Sequence, residues 1–79
     1  MASPTAAQTA LLDEIEYHAA ALSELLEVYD YGLRNALGRG DRQLIRTLTE
    51  RIAYATRQLE EAQTRRQALT RALQDKAPA

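Results

Sequence analysis

The chain has 79 residues, a net charge of −1, one histidine and no cysteine. A chain of this length seldom builds a core worth more than about 3–5 kcal/mol on its own. The missing cysteines exclude disulfide bonds and thiolate metal sites, and a single histidine argues against a zinc site. Association with another chain is therefore the favoured way to complete the core.

The sequence contains no apolar run of about 18 residues, so we expect no membrane-spanning helix. Residues 1–4 contain neither a basic residue nor a continuous apolar stretch, and they do not resemble a secretory signal. These features predict a cytoplasmic protein that does not engage a membrane.

The first predicted helix spans about residues 5–37. Alanine, leucine, glutamate, glutamine and arginine dominate the composition, and all five favour helices. Two starts compete for this helix: Ser3 can cap it with Pro4 in the first helical position, or Thr5 can form a capping box with Gln8.

A turn is predicted at residues 38–41, followed by a second helix over about 42–75. Gly38, Arg39 and Gly40 interrupt the helical pattern, and Asp41 is a favourable N-cap. A three-residue connection makes the two helices antiparallel neighbours. The predicted fold is therefore all-α, a single two-helix antiparallel coiled-coil-like hairpin over residues 1–79 that completes a helical bundle by association.

Heptad spacing supports this hairpin. The a and d positions of the first helix are predicted to be Gln8, Leu11, Ile15, His18, Leu22, Leu25, Tyr29, Gly32 and Ala36. Those of the second helix are Ile45, Leu48, Ile52, Ala55, Leu59, Ala62, Arg66, Leu69 and Leu73. No alternation with a period of two competes with these stripes, which argues against strands.

The apolar stripe of the first helix is wider than that of the second. Leu12, Leu26 and Leu33 fall at e positions beside the predicted seam, and one neighbouring helix is not expected to cover them as well. We therefore predict that these three leucines form an interface with a second copy of the chain or with a different protein.

A further group of exposed side chains lies outside the predicted seams, formed by Tyr17, Val28 and Tyr31 in the first helix and Tyr54 in the second. Tyrosine is favoured at interfaces because its ring buries apolar area and keeps a polar end. An interface role is predicted for these four residues, although isolated surface tyrosines are also common.

Three residues interrupt the predicted seams. His18 is interpreted as a tolerated polar residue there, with a pH-dependent or ligand role as the alternative. Arg66 is predicted to pair with Glu14 or Glu16 across the hairpin, and Gly32 to permit close packing.

Charge is distributed unevenly between the two halves. Residues 1–38 carry six acidic residues against Arg34, whereas residues 41–79 carry eight basic residues against five acidic ones. The near-zero net charge and the missing basic cluster disfavour nucleic acid as a partner. No catalytic combination of side chains is present, so we predict no enzyme activity, no cofactor and no small-molecule substrate.

The pattern around the turn resembles the FlgN-like flagellar and type III secretion export chaperones. The residues that carry the resemblance are the stretch 22–27, Ala36, Leu37, Gly40, Asp41, Leu44, Leu48, Leu59, Arg66 and Leu69, within about residues 11–73. The resemblance implies a long helical hairpin in the cytoplasm that holds secretion substrates. It also implies that the C-terminal segment with which such chaperones grip a client is absent or shortened, since the chain ends at Ala79.

The sequence therefore predicts a non-enzymatic protein-interaction module. The first hypothesis is a small secretion-type chaperone or adaptor that binds a partner protein through the apolar face of the first helix. The alternative is a homodimeric four-helix bundle with a structural or regulatory role, and an RNA-binding hairpin dimer is a minor third hypothesis.

Overall fold

The computed structural model describes residues 6–75, with side chains up to residue 74, and contains two helices. Helix α1 spans Ala6–Arg39 and helix α2 spans Arg42–Asp75, each 34 residues long. The helices run antiparallel, which confirms the predicted all-α hairpin. The proposed caps at Ser3 and Thr5 lie outside the described residues.

The turn is shorter than predicted, because α1 continues through Gly38 and Arg39 and only Gly40 and Asp41 connect the helices. Gly40 has a φ of 69°, in the left-handed region that glycine adopts without a steric cost. The Gly40 amide donates to the Leu37 carbonyl (3.2 Å), and the Asp41 amide donates to the Ala36 carbonyl (3.1 Å). These two bonds form a Schellman motif, which satisfies carbonyl groups at the end of α1 and stops the helix after Arg39.

Asp41 caps the N-terminus of α2, as predicted. Its Oδ1 atom accepts a hydrogen bond of 3.1 Å from the Leu44 amide, and its carbonyl accepts the first helical bond from the Ile45 amide at 2.9 Å. This is the geometry of an N-cap. Since the Asp41 amide also closes the Schellman motif, one residue satisfies the ends of both helices.

The side chains between the helices form a seam that matches the prediction on α2 but differs from it on α1. The predicted a and d residues of α2 are buried or half-buried, apart from the exposed Arg66. On α1 the buried or half-buried residues with heptad spacing are Gln8, Leu12, Ile15, Ala19, Leu22, Leu26, Tyr29, Leu33 and Ala36, and Gly32 is half-buried beside them. Leu11, His18 and Leu25, which were predicted to lie in the seam, are exposed instead.

The physical reason for this rotation is the composition of the two alternative stripes. The predicted stripe would have placed His18 between the helices. The observed stripe replaces it with Ala19 and brings in Leu33 beside the half-buried Gly32, so more apolar surface leaves water and no histidine must be desolvated. Rotating α1 by about one position in this way costs nothing in backbone geometry, because both stripes have the same spacing of three and four.

The fully buried core is small. The buried apolar residues of the described chain are Leu22, Ala36, Leu48, Ala55 and Ala62, and three of these five are alanine. Small side chains allow the helices to approach closely: a Cβ atom added to Gly32 would lie 3.4 Å from Leu48 Cδ1 on the other helix. Gly32 therefore lies at the contact between the helices, although an alanine at this position would also make an ordinary contact. The three buried alanines contribute little apolar area to the stability of the hairpin.

Candidate protein-interaction surface

One flank of the hairpin carries two shallow, open grooves between the helices. The groove nearer the turn is lined by Leu22, Leu25 and Tyr29 of α1 and by Arg51, Tyr54 and Ala55 among the residues of α2. The groove nearer the open end is lined by Leu11, Ile15 and His18, with Ala62 and Arg65 across from them. Both grooves lie on the same side of the seam. On α1, Leu11, His18 and Leu25 follow one another at intervals of seven residues, and on α2, Arg51 and Arg65 are two such intervals apart, so each set lies on one side of its helix.

Large apolar side chains are exposed along this side. We define the apolar flank by the exposed residues Leu11, Ala21, Leu25, Val28, Leu44 and Tyr54. Val28 and Tyr54 expose 64% and 65% of their surface, although both lie beside the groove that contains Leu25. Together with Leu11, Leu25 and Leu44 they expose on the order of 500 Å², taking about 200 Å² for a large side chain. Leu25, Val28 and Tyr54 lie near the middle of the hairpin, whereas Leu11 lies toward the open end and Leu44 toward the turn, so this area is distributed along the flank. Exposed apolar area concentrated on one side often has a function.

The opposite side of the hairpin has a different chemistry. We define the polar flank by Glu16, Ser23 and Asp30 on α1 and by Thr49, Thr56, Gln63 and Thr70 on α2. The predicted pair across the hairpin is confirmed here, since Arg66 Nε lies 3.4 Å from Glu16 Oε1. About half of each of these side chains is exposed, so water screens the interaction and its contribution to stability is small.

The predicted interface residues separate into three groups. Leu12, Leu26 and Leu33 are half-buried in the seam, so α2 covers part of each side chain and the interface predicted for them stays a prediction. The rotation of α1 explains this outcome, because it turns these leucines toward α2 and turns Leu11 and Leu25 outward.

The other four predicted interface residues are exposed. Val28 and Tyr54 belong to the apolar flank, and Tyr17 borders it at the groove near Leu11. Tyr31 is also exposed but lies on the outer side of α1, opposite the seam. The tyrosine and valine pattern therefore located part of the exposed apolar surface, whereas Leu11, Leu25 and Leu44 were missed as members of it.

The described residues include an exposed apolar surface and no arrangement suited to metal chemistry. Among residues 6–75, no three histidine, aspartate or glutamate side chains are grouped so that they could hold a metal ion. In that same part of the chain, neither helix is long and apolar enough to cross a bilayer. What the geometry supplies is a rigid pair of helices with an apolar flank and a polar flank.

No family model, curated protein or solved structure matches this chain. The likeness to the export chaperones therefore stays a hypothesis based on the residues around the turn.

Proposed function

We propose that this chain is a non-enzymatic protein-interaction module that binds a partner protein through the apolar flank. The observation that carries this proposal is the contrast between the two sides of the seam. Leu11, Leu25, Val28, Leu44 and Tyr54 are exposed on one side, while the other side presents threonines, carboxylates and one large apolar side chain, Leu37. Five of the eight exposed large apolar residues of the described chain therefore lie on the apolar flank, which gives this flank the character of a binding surface.

The composition of the apolar flank favours a protein as its occupant. Tyr54 and Arg51 lie beside Leu25, and tyrosine and arginine are enriched at protein interfaces while lysine is depleted. The two open grooves follow the helix axis, which suits an amphipathic helix laid along the hairpin. RNA is a poorer fit, because residues 1–38, which supply four of the six residues of the apolar flank, carry six acidic residues against Arg34.

The biological role we propose is that of a small cytoplasmic secretion-type chaperone or adaptor. Its support is the resemblance of residues 11–73 to the FlgN-like export chaperones, together with apolar surface that the hairpin itself leaves uncovered. A chaperone that shields a secretion substrate needs such a surface, because the client segment must be kept from other apolar contacts until export.

Two neighbouring alanines provide a matched test. Ala21 lies on the apolar flank one turn from Leu25, whereas Ala20 lies about 100° around the same helix, and both are exposed. Ala21→Glu and Ala20→Glu therefore add the same charge to the same helix and differ only in the side that receives it. Helicity of both variants, measured by circular dichroism, establishes that the hairpin is intact.

The measurement is affinity purification of the tagged wild-type chain and both variants from the cells that express it, with proteins identified by mass spectrometry. We expect a defined partner to be retained by wild type and Ala20→Glu and lost from Ala21→Glu. A secreted or exported protein as that partner supports the chaperone role. Recovery of the same partner by all three chains would refute the apolar flank as the binding surface.

A further inference from the structure

We propose that the apolar flank is covered by a second copy of this chain, with α1 of each hairpin beside α2 of the other and the two turns at the same end. This inference rests on the proposed function, because it takes the apolar flank as an association surface. It goes further by naming what covers the flank when no partner protein is bound, and in which orientation. The result is a four-helix bundle with a twofold axis parallel to the helices, in which every neighbouring pair is antiparallel.

Charge selects the pairing of α1 with α2. Residues 1–38 have a surplus of five negative charges, and residues 41–79 have a surplus of three positive charges. Packing α1 against the partner's α2 places opposite charges side by side at both new helix contacts. Packing α1 against the partner's α1 would place like charges together, which opposes association. The chain is therefore complementary to itself in only one of these two pairings.

The hairpin itself fixes which residues share a level along the axis. Gly32 lies opposite Leu48, and Glu16 opposite Arg66, so the residue numbers add up to 80 and 82. A twofold axis parallel to the helices leaves each residue of the partner at its original level. Consequently α1 of one copy meets the partner's α2 with the same relation between residue numbers as within one hairpin.

This relation places the exposed apolar side chains of one copy against those of the other copy. Leu25 and Val28 come to the level of the partner's Tyr54, so the largest exposed apolar side chains of the two helices meet near the middle of the interface. Glu14 comes to the level of the partner's Arg65, which places opposite charges at the rim. A packed apolar centre with a charged rim is the usual organisation of a protein interface.

The opposite orientation, with the turns at different ends, loses this match. A symmetric dimer in that orientation faces each α1 with the partner's α1 and each α2 with the partner's α2, so it brings helices of like charge together. It also moves Leu25 and Val28 to about the level of the partner's His18, where no large apolar side chain of the flank lies. The arrangement with both turns at one end therefore has the better apolar match and the better charge match.

The small core gives a thermodynamic reason for a second copy. Three of the five buried apolar residues in the described chain are alanine, while five large apolar side chains of the flank face water. Their exposed area, on the order of 500 Å², supplies most of the roughly 800 Å² that each partner contributes to a stable interface. The stems of Arg51, Arg65 and Glu14 at the rim account for much of the remainder.

The first arm of the test measures mass by sedimentation equilibrium for the wild-type chain, Ala21→Glu and Ala20→Glu. We expect a dimer for wild type and Ala20→Glu, and a dissociation constant at least tenfold higher for Ala21→Glu. Raising the salt concentration is expected to weaken the wild-type dimer, since its rim charges attract each other. A wild-type monomer at every accessible concentration, or a dimer that Ala21→Glu does not weaken, would overturn the inference.

The second arm tests the orientation, and it is clean because the natural chain has no cysteine. Single variants Val28→Cys and Tyr54→Cys are mixed, exchanged and oxidised. We expect disulfide-linked dimers between the two different variants, and few from Val28→Cys alone, whose thiols would lie diagonally across the bundle. Ala20→Cys mixed with Tyr54→Cys is the control that should not cross-link. Preferential cross-linking of Val28→Cys with itself would overturn the arrangement even if a dimer forms.

The two proposals fail separately. A monomeric wild-type chain whose cellular partner is lost in Ala21→Glu refutes the second copy and leaves the binding surface in place. A dimer that neither Ala21→Glu nor Ala20→Glu changes, with the same cellular partners for all chains, refutes both.

Discussion

From the backbone conformation of the turn we predict that replacing glycine by alanine has opposite effects on stability at two positions only two residues apart. Gly40 has a φ of 69°, and an L-residue in that region costs about 1–2 kcal/mol. Gly38 lies within α1, and a Cβ atom added to it would meet no atom within 4 Å. Alanine is favoured over glycine inside a helix by about 0.8–1.0 kcal/mol.

Gly40→Ala is therefore expected to lower the free energy of unfolding by about 1 kcal/mol, after allowing for the smaller conformational entropy of alanine in the unfolded chain. Gly38→Ala is expected to raise it by up to about 1 kcal/mol. The two variants have the same composition, so the difference of about 2 kcal/mol between them reports the backbone conformation alone. For a domain of this size each 1 kcal/mol corresponds to a shift in Tm of about 4–8 °C.

The assay is urea denaturation followed by far-ultraviolet circular dichroism, at one fixed protein concentration because association would make stability depend on concentration. Gly40→Asn serves as the control, since asparagine tolerates the left-handed region better than alanine and should recover part of the loss. Two destabilised variants would mean that Gly38 is not helical. Two stabilised variants would mean that the Schellman motif at Gly40 does not form.

Three further predictions concern the cap, the seam and the ion pair. Asp41→Ala should lower the free energy of unfolding by about 1 kcal/mol through loss of the bond to the Leu44 amide, whereas Asp41→Asn should retain most of it in the same denaturation assay. Leu26→Ala should lower the free energy of unfolding by roughly 2 kcal/mol because Leu26 packs in the seam. Leu37→Ala, at an exposed position, should lower it by less than about 0.5 kcal/mol, and equal effects would contradict the assignment of the seam. A double-mutant cycle on Glu16 and Arg66 should give a coupling below about 1 kcal/mol that disappears at high salt, and a larger, salt-insensitive coupling would show that the pair is better shielded than its half-exposed geometry implies.

The sequence was sufficient to predict the hairpin and the start of α2 at Asp41, because capping and heptad signals are local. It also predicted the α2 seam, where only one apolar stripe exists. On α1 it was not sufficient, since two stripes with equal spacing share Gln8, Ile15, Leu22, Tyr29 and Ala36 and differ in their remaining members. Choosing between them requires comparing the sets that α2 would bury. The useful signal was His18, whose desolvation disfavours the stripe that contains it.

The end of α1 was placed two residues early for a similar reason. Gly38 and Gly40 look equivalent in sequence, but a Schellman motif needs one left-handed residue, and only Gly40 takes that role. The exposed surface followed from the α1 assignment. Once α1 was rotated, Leu12, Leu26 and Leu33 moved into the seam, and Leu11 and Leu25 became available to a partner.

The double use of Asp41 has a consequence for how this hairpin can change in length during evolution. An insertion between Gly40 and Asp41 would remove the closing bond of one helix or misplace the start of the other, so the connection tolerates no added residue. At the open end nothing comparable joins the described helices. Heptads can be added or deleted there in matched pairs, one on each arm, without altering any contact nearer the turn. Relatives of this protein should therefore share the connection and differ in the length of their two helices, by steps of about 10 Å per heptad.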